Sequence, residues 1–167
     1  MTGREAIRKY GIPFDALSTP KNEKTLFEST FMTLFDIPDE INQAIRTLPN
    51  RVYCNKDIVE PLIHAFKNLI ERGKADELRT WDGCYNPRPI RGYEKQFYEL
   101  FNKNMFDKAS DYLSMHSWGV AIDVNAAWNQ LGKPSTLSPE FVKCFTDAGF
   151  NWGGNFPRVD GMHFELK

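Results

Sequence analysis

Apolar residues recur with a helical spacing in three stretches of the chain. From Ile58 to Ile70 they follow a period of about 3.6 residues, and Gly73 then provides a stop, which predicts a core helix. A second helix is predicted over residues 93–108. Ser-Pro-Glu at residues 138–140 supplies an N-cap, a proline at the first helical position and an acid in the first turn, so a third helix is predicted from there to about Gly149.

Strands are predicted in the stretches between these helices. They cover Leu78 to Tyr85, Gly119 to Asn125 and Gly161 to Leu166, and the last two alternate with period two. The alternation places Asp123 on the face opposite Ile122. It likewise places His163 and Glu165 opposite Phe164. Helices and strands without strict β-α-β alternation favour an α+β domain, in which helices frame a small antiparallel sheet. If the last two strands are neighbours, Asp123 and His163 converge on one sheet face.

The first fifty residues differ from the rest because four prolines interrupt them. Phe27, Phe31 and Phe35 recur at i, i+4 and i+8, which predicts one face of a short helix. That face is either buried or an aromatic strip that contacts a substrate. We expect residues 1–50 to wrap around a core formed by residues 51–167, so that the 167 residues make one domain.

Composition narrows the class of protein. The chain is 41% hydrophobic and 26% charged with a formal net charge of −1, which fits a folded domain and argues against nucleic acid or a membrane as a partner. The N-terminus has no apolar stretch typical of a signal peptide, so we expect a protein made in the cytoplasm. We also expect a monomer. Cys54, Cys84 and Cys144 are scattered, which predicts buried, reduced thiols rather than a disulfide framework.

Two histidines and an aspartate are candidates for a metal site. His116 precedes Asp123 by seven residues with Gly119 between them, and a turn there brings the imidazole back over the carboxylate. With His163 on the neighbouring strand, these side chains supply three nitrogen and oxygen ligands, the number typical of catalytic zinc. Zinc lowers the pKa of its bound water to about 7 and polarises a carbonyl group, so hydrolysis then needs no Ser or Cys nucleophile.

Asp160 is the candidate general base. It lies three residues before His163, near the metal ligands without being one of them. The alternative is a solvated aspartate in an Asp-Gly turn.

Two motifs resemble those of the D-Ala-D-Ala carboxypeptidase-like zinc peptidases. The stretch Ser-Met-His-Ser-Trp-Gly-Val-Ala-Ile-Asp at residues 114–123 resembles their S-x-H-x-x-G-x-A-x-D motif, and Asp-Gly-Met-His at 160–163 resembles their [D/E]-x-x-H motif. Trp-Gly-Gly at 152–154 precedes the second motif, and the resemblance covers residues 52–167. It implies one zinc ion, a peptidoglycan stem peptide as substrate, Asp160 as the base, and His116, Asp123 and His163 as ligands.

The family also has an arginine on a strand before the first motif. A guanidinium there pairs with a substrate carboxylate and helps to stabilise the oxyanion. Arg88 is the first choice for this role and Arg91 the second. Asn155 and Phe156 stand where many relatives have an acid and a tryptophan, so the pocket rim is expected to differ. Residues 93–111 form either a lid or a helix packed outside the cleft.

The acid of the second motif bears on which bond is cut. Family members that act on D-Ala-D-Ala typically have Glu there, whereas L-alanyl-D-glutamate endopeptidases, including many phage endolysins, typically have Asp, as at Asp160. The resemblance therefore favours an endolysin that reaches the cell wall after lysis begins. The alternatives are a D-alanyl-D-alanine carboxypeptidase or dipeptidase, and a wall-binding module that keeps zinc without catalysis.

Four further residues are candidates for binding substrate or supporting the ligands. Glu165 shares a strand face with His163 and either orients that ligand or forms a structural salt bridge. Ser114 hydrogen-bonds within the His116 turn or ends the preceding segment. Trp118 lines the cleft or belongs to the core. Asn125 caps the strand end or clamps backbone near the site.

Overall fold

The computed structural model describes residues 1–13 and 23–167, and Pro20, one of the four N-terminal prolines, lies outside this range. The helices are α1 (Gly3–Tyr10), α2 (Leu26–Phe31), α3 (Asp39–Ala44), α4 (Val59–Glu71), α5 (Glu94–Phe101), α6 (Phe106–Ala109) and α7 (Pro139–Thr146). The strands are β1 (Met32–Asp36), β2 (Arg51–Asn55), β3 (Trp81–Gly83), β4 (Ala121–Val124), β5 (Phe150–Trp152) and β6 (His163–Leu166). Short 3-10 turns cover Lys56–Ile58, Ala75–Glu77, Ser110–Tyr112, Met115–Trp118, Ala126–Trp128 and Gly153–Asn155.

Strands in the described parts of the chain pair only antiparallel. β1 pairs with β2, and the other four strands form a sheet in the order β3-β4-β6-β5. This confirms the predicted α+β class, with two small sheets in place of one. In the register of β4 and β6, Asp123 is opposite His163 and Ile122 is opposite Phe164.

Two apolar clusters hold the elements together. In the first, Ile122 and Phe164 cover one sheet face and pack with Phe141 and Phe145 of α7 and with the buried side of α4. The rings of Phe145 and Phe164 stack with centroids 4.5 Å apart. Burying one such side chain is worth about 1.5–3 kcal/mol, so this cluster fixes β4 and β6. None of the helices in the described ranges is long and apolar enough to cross a membrane.

The second cluster joins the N-terminal helices to the C-terminal half. Trp118 lies at its centre, fully buried with Ala6, Phe97 and Ala121. The Trp118 indole N–H donates to the carbonyl of Gly11 at 3.1 Å. Residues 1–13 are therefore packed directly against the turn that precedes β4.

Three predicted elements are corrected by the structure. Phe27 and Phe31 lie on α2, but Phe35 lies on β1, because the chain turns extended at Met32 and pairs with β2. The helix predicted over residues 93–108 is divided into α5 and α6, since Asn104 has a left-handed φ of 56°. The strand predicted from Leu78 narrows to Trp81–Gly83. The prediction of buried, free cysteines is confirmed.

Candidate metal centre

Three side-chain atoms converge at the junction of β4, β6 and the Met115–Trp118 turn. Nε2 of His116 and Oδ1 of Asp123 are 3.2 Å apart, and Nδ1 of His163 is 3.2 Å from each of them. Two ligands of a tetrahedral zinc ion with bonds of about 2.0 Å would be about 3.3 Å apart. The donor set is also suitable, since two imidazoles and a carboxylate leave one position open. These residues are thus able to hold a metal ion.

Local structure explains how the three side chains meet. Asp123 and His163 are direct register partners on neighbouring strands. His116 comes from a 3-10 turn that Ser114 caps, because the Ser114 hydroxyl accepts from the backbone N–H of His116 at 3.4 Å. Gly119 ends the turn with φ 66°, and a Cβ atom there would lie 2.9 Å from the backbone nitrogen of Asn55. Only glycine satisfies both this conformation and this close approach.

Each imidazole has a hydrogen-bond partner on the side away from the cluster. Nδ1 of His116 donates to the carbonyl of Cys84 at 2.6 Å, and Nε2 of His163 donates to the Glu165 carboxylate at 2.9 Å. Each bond keeps the proton on the outer nitrogen, so the inner nitrogen presents its lone pair to a metal. Strand alternation predicts that Glu165 lies on the same face as His163 and is able to orient it. The Cys84 carbonyl was missed, since a backbone atom has no sequence signature.

Glu165→Gln tests the hydrogen bond that orients His163. An amide accepts less strongly than a carboxylate and removes the charge that supports the imidazole, so we expect zinc affinity to fall about tenfold, measured by competition with a chromophoric chelator. Glu140→Gln, on the exposed start of α7, is the matched control. An unchanged affinity in Glu165→Gln would show that the pair is only structural.

Electrostatic interactions among the side chains of the cluster shift the pKa values of Asp123 and His163. Burial alone would lower the pKa of His163, but hydrogen bonds to Asp123 and Glu165 outweigh it and raise the pKa to about 9. Burial would raise the pKa of Asp123, yet the hydrogen bonds to His116 and His163 hold it well below its usual range. In the metal-free protein the cluster therefore holds a proton at neutral pH, which a metal ion must displace.

Metal affinity is consequently expected to depend on pH. Because His163 is protonated below a pKa of about 9, the apparent affinity for zinc should rise by about tenfold for each pH unit between about pH 6.5 and pH 9. Chelator competition at a series of pH values measures this slope. An affinity that stays constant over that interval would contradict the coupling.

Asp160 lies beside the cluster with an unsatisfied oxygen. Its Oδ1 atom is buried and has no hydrogen-bond partner within the described residues. Its backbone N–H donates to Gly153 at 2.9 Å and its carbonyl accepts from His163 at 3.1 Å, so the backbone fixes the side chain. A Cβ atom on Gly153 would come within 3.1 Å of the Cβ atoms of both residues. Burial raises the pKa of Asp160, an effect that the charge of Asp123 reinforces.

A cleft of about 470 Å³ opens above these residues, and both candidate arginines line it. Arg88 is half-buried and its Nε atom has no partner among the described residues. The backbone N–H of Arg88 donates to the Ser117 hydroxyl at 3.0 Å, which ties it to the His116 turn. Burial and the nearby charge of Arg91 lower the pKa of Arg88. Arg91 is exposed at the rim.

Of the other residues considered in the sequence, Trp118 and Asn125 lie outside the cleft lining, whereas Phe156 belongs to it. Trp118 does not line the cleft, because its ring is fully buried in the core. Asn125 is also removed from the cleft: its amide oxygen accepts from the N–H groups of Arg79 and Thr80, at 2.8 and 3.1 Å. It is a clamp that holds the chain entering β3. Phe156, where many relatives have a tryptophan, lines the cleft.

Residues 93–111 form part of the cleft wall. Tyr93 and Asp111, near the two ends of this segment, line the cleft, while Phe97 of α5 is fully buried in the second cluster. The segment is therefore anchored in the core rather than packed only on the outside.

His116, Asp123 and His163 are therefore able to hold a metal ion next to the carboxylate of Asp160, whose buried oxygen has no partner among the described residues, and such an arrangement suits metal-assisted hydrolysis. Residues 107–166 match the model of the family described as D-alanyl-D-alanine carboxypeptidase. The match contains His116, Asp123, Asp160 and His163, and it confirms the predicted resemblance to the D-Ala-D-Ala carboxypeptidase-like peptidases. No curated protein and no solved structure matches the chain.

Proposed function

We propose that the chain is a zinc-dependent peptidoglycan peptidase that cuts the L-alanyl-D-glutamate bond of the stem peptide, in the manner of a phage endolysin. The observation that carries the peptidase function is the convergence of three potential ligand atoms, 3.2 Å from one another, next to Asp160, whose buried Oδ1 atom has no partner among the described residues. A structural metal site would need neither the open position nor the free carboxylate.

His116, Asp123 and His163 would hold the zinc ion. When bound, zinc supplies a Lewis acid that activates water and polarises the scissile carbonyl group. Asp160 accepts a proton from the attacking water and transfers it to the leaving amine, for which its raised pKa suits it. Arg88, charged and half-buried, stabilises negative charge on the carbonyl oxygen or binds a substrate carboxylate.

The choice of bond rests on Asp160. L-alanyl-D-glutamate endopeptidases of the family that the chain resembles typically have Asp at this position, whereas members that act on D-Ala-D-Ala typically have Glu. A D-alanyl-D-alanine carboxypeptidase is the second candidate, because the family matched by residues 107–166 has that description.

Mass spectrometry of digested peptidoglycan distinguishes the two candidates. Purified sacculi incubated with the protein should release peptides that begin with D-glutamate, leaving L-alanine on the glycan. Release of D-alanine alone, with the L-Ala-D-Glu bond intact, would overturn the endopeptidase proposal in favour of the second candidate. Asp160→Asn serves as the inactive control.

A further inference from the structure

Arg158 bridges the two sides of the cleft mouth. Its Nη2 atom donates to the carbonyl of Arg91 at 2.6 Å, and its guanidinium carbon lies 5.6 Å from the centre of the Tyr93 ring. A Cβ atom on Gly92 would lie 3.1 Å from Nη1 of Arg158, so glycine leaves room for this approach. The guanidinium is thus held in place at the mouth although it is exposed.

Arg158 joins Arg88 and Arg91 as a third cation on the cleft wall. Among residues 1–13 and 23–167, none of these three arginines has a carboxylate within 4.0 Å, whereas Arg4 and Arg72 each have an aspartate partner. The cleft also has four carboxylates in its lining, those of Asp111, Asp123, Asp160 and Glu165. Because none of them pairs directly with Arg158 in the described residues, an anionic ligand is favoured locally, beside this guanidinium.

Glu94, an acid close enough to interact with Arg158 and Arg88, does not pair directly with either of them in the described residues. Arg158 and Arg88 contribute to lowering the pKa of Glu94, but the Glu94 carboxylate accepts from the backbone N–H of Gly92 at 2.9 Å instead. The hydrogen bonds of the Glu94 carboxylate to backbone N–H groups lower its pKa more than the two arginines do. Within the described residues, the guanidinium of Arg158 therefore has no direct anionic partner.

The remaining donors of Arg158 match a planar carboxylate. A guanidinium has five N–H donors in a fixed fork, and the Arg91 carbonyl is the sole hydrogen-bond acceptor of Arg158 within the described residues. The guanidinium of Arg158 also lies at cation–π distance from the ring of Tyr93. Such a fork binds a carboxylate through two parallel hydrogen bonds.

We propose that Arg158 determines specificity by binding a carboxylate that the substrate carries next to the scissile bond, separate from the group bound by Arg88. The inference rests on the proposed function and narrows its substrate class to peptides with an acidic group beside the bond. A γ-linked glutamyl residue has such a group, its free α-carboxylate.

The test compares two peptides that differ in this one group. L-alanyl-γ-D-glutamyl-L-lysine and its glutamyl α-carboxamide are hydrolysed by the wild type, Arg158→Gln and Arg158→Lys. We expect kcat/KM of the wild type to be about tenfold higher for the acid than for the amide. Arg158→Gln should lose this preference by slowing only on the acid, and Arg158→Lys should retain part of it. Arg79→Gln, whose guanidinium lies over Trp128 outside the cleft lining, should behave as the wild type.

Two results separate the inference from the proposed function. If the wild type cuts both peptides and Arg158→Gln keeps the same ratio, the carboxylate does not bind Arg158 and the inference is overturned. If the wild type cuts neither peptide, the proposed bond choice fails, and calorimetric binding of the two peptides decides the inference. About tenfold tighter binding of the acid by the wild type but not by Arg158→Gln supports it, and equal binding by both overturns it.

Discussion

Asp160→Ala is expected to lower hydrolysis of peptidoglycan by about 10³-fold while the protein keeps its metal. General acid–base catalysis contributes about 10²–10⁴-fold, and Asp160 has the only side chain in the described cleft that combines proximity to the cluster with an unpartnered buried oxygen. Because Asp160 is not among the three converging ligand atoms, its removal leaves the coordinating set intact. Release of soluble fragments and metal content, measured on the same preparation, give both quantities.

The matched control for this substitution is Asp76→Ala. Asp76 is exposed on the Ala75–Glu77 turn and does not line the cleft, so its loss should leave hydrolysis within about twofold of the wild type. Hydrolysis by Asp160→Ala at the wild-type rate would show that another group accepts the proton.

His163→Ala is expected to remove both metal and activity. The substitution deletes one of three ligands and leaves the carboxylates of Asp123 and Glu165 without the imidazole between them. Losing several kcal/mol of transition-state stabilisation corresponds to a fall of about 10³-fold or more in rate. Metal content per chain and release of peptidoglycan fragments measure the two effects.

A second histidine provides the control for His163→Ala. His64 is exposed on α4 and is not one of the three converging residues, so His64→Ala should bind metal and hydrolyse as the wild type does. Stoichiometric metal in His163→Ala would mean that this imidazole is not a ligand. The two histidine variants together distinguish loss of a ligand from a general effect of removing an imidazole.

Local patterns predicted how Asp123 and His163 are brought together, because their positions follow from strand alternation. Period two put Asp123 and His163 on the faces opposite Ile122 and Phe164, and antiparallel pairing then made the two polar residues direct partners. The motif spacing added His116. The roles of these residues, and those of Asp160 and Arg88, stay predictions that the substitutions above test.

Local sequence patterns did not predict contacts between residues far apart in the chain. Nothing in the local sequence indicates that the Cys84 carbonyl receives the His116 proton, or that Arg158 crosses the cleft to Arg91, since the partners are 32 and 67 residues apart. Trp118 was ambiguous for the same reason. A tryptophan beside a glycine suits either a cleft or a core, and only its contact with Gly11 and the N-terminal helices decides between them.

The predicted helix boundaries were wrong at two places, and at the first of them strand pairing outweighed the helical spacing. Phe27, Phe31 and Phe35 have a helical spacing, yet β1 pairs with β2 from Met32 onward and takes Phe35 out of the helix. The break between α5 and α6 has a local cause in the left-handed conformation of Asn104, a residue type that tolerates it. An asparagine within an amphipathic stretch is only a weak stop signal, so the periodicity alone predicts one continuous helix.

The most direct test of the account is hydrolysis of purified peptidoglycan before and after metal removal. A chelator should abolish fragment release, and one equivalent of zinc per chain should restore it, since His116, Asp123 and His163 converge on a single position. Metal analysis of the active protein should accordingly give about one ion per chain. Undiminished release of fragments by protein shown to be free of metal would contradict the central claim.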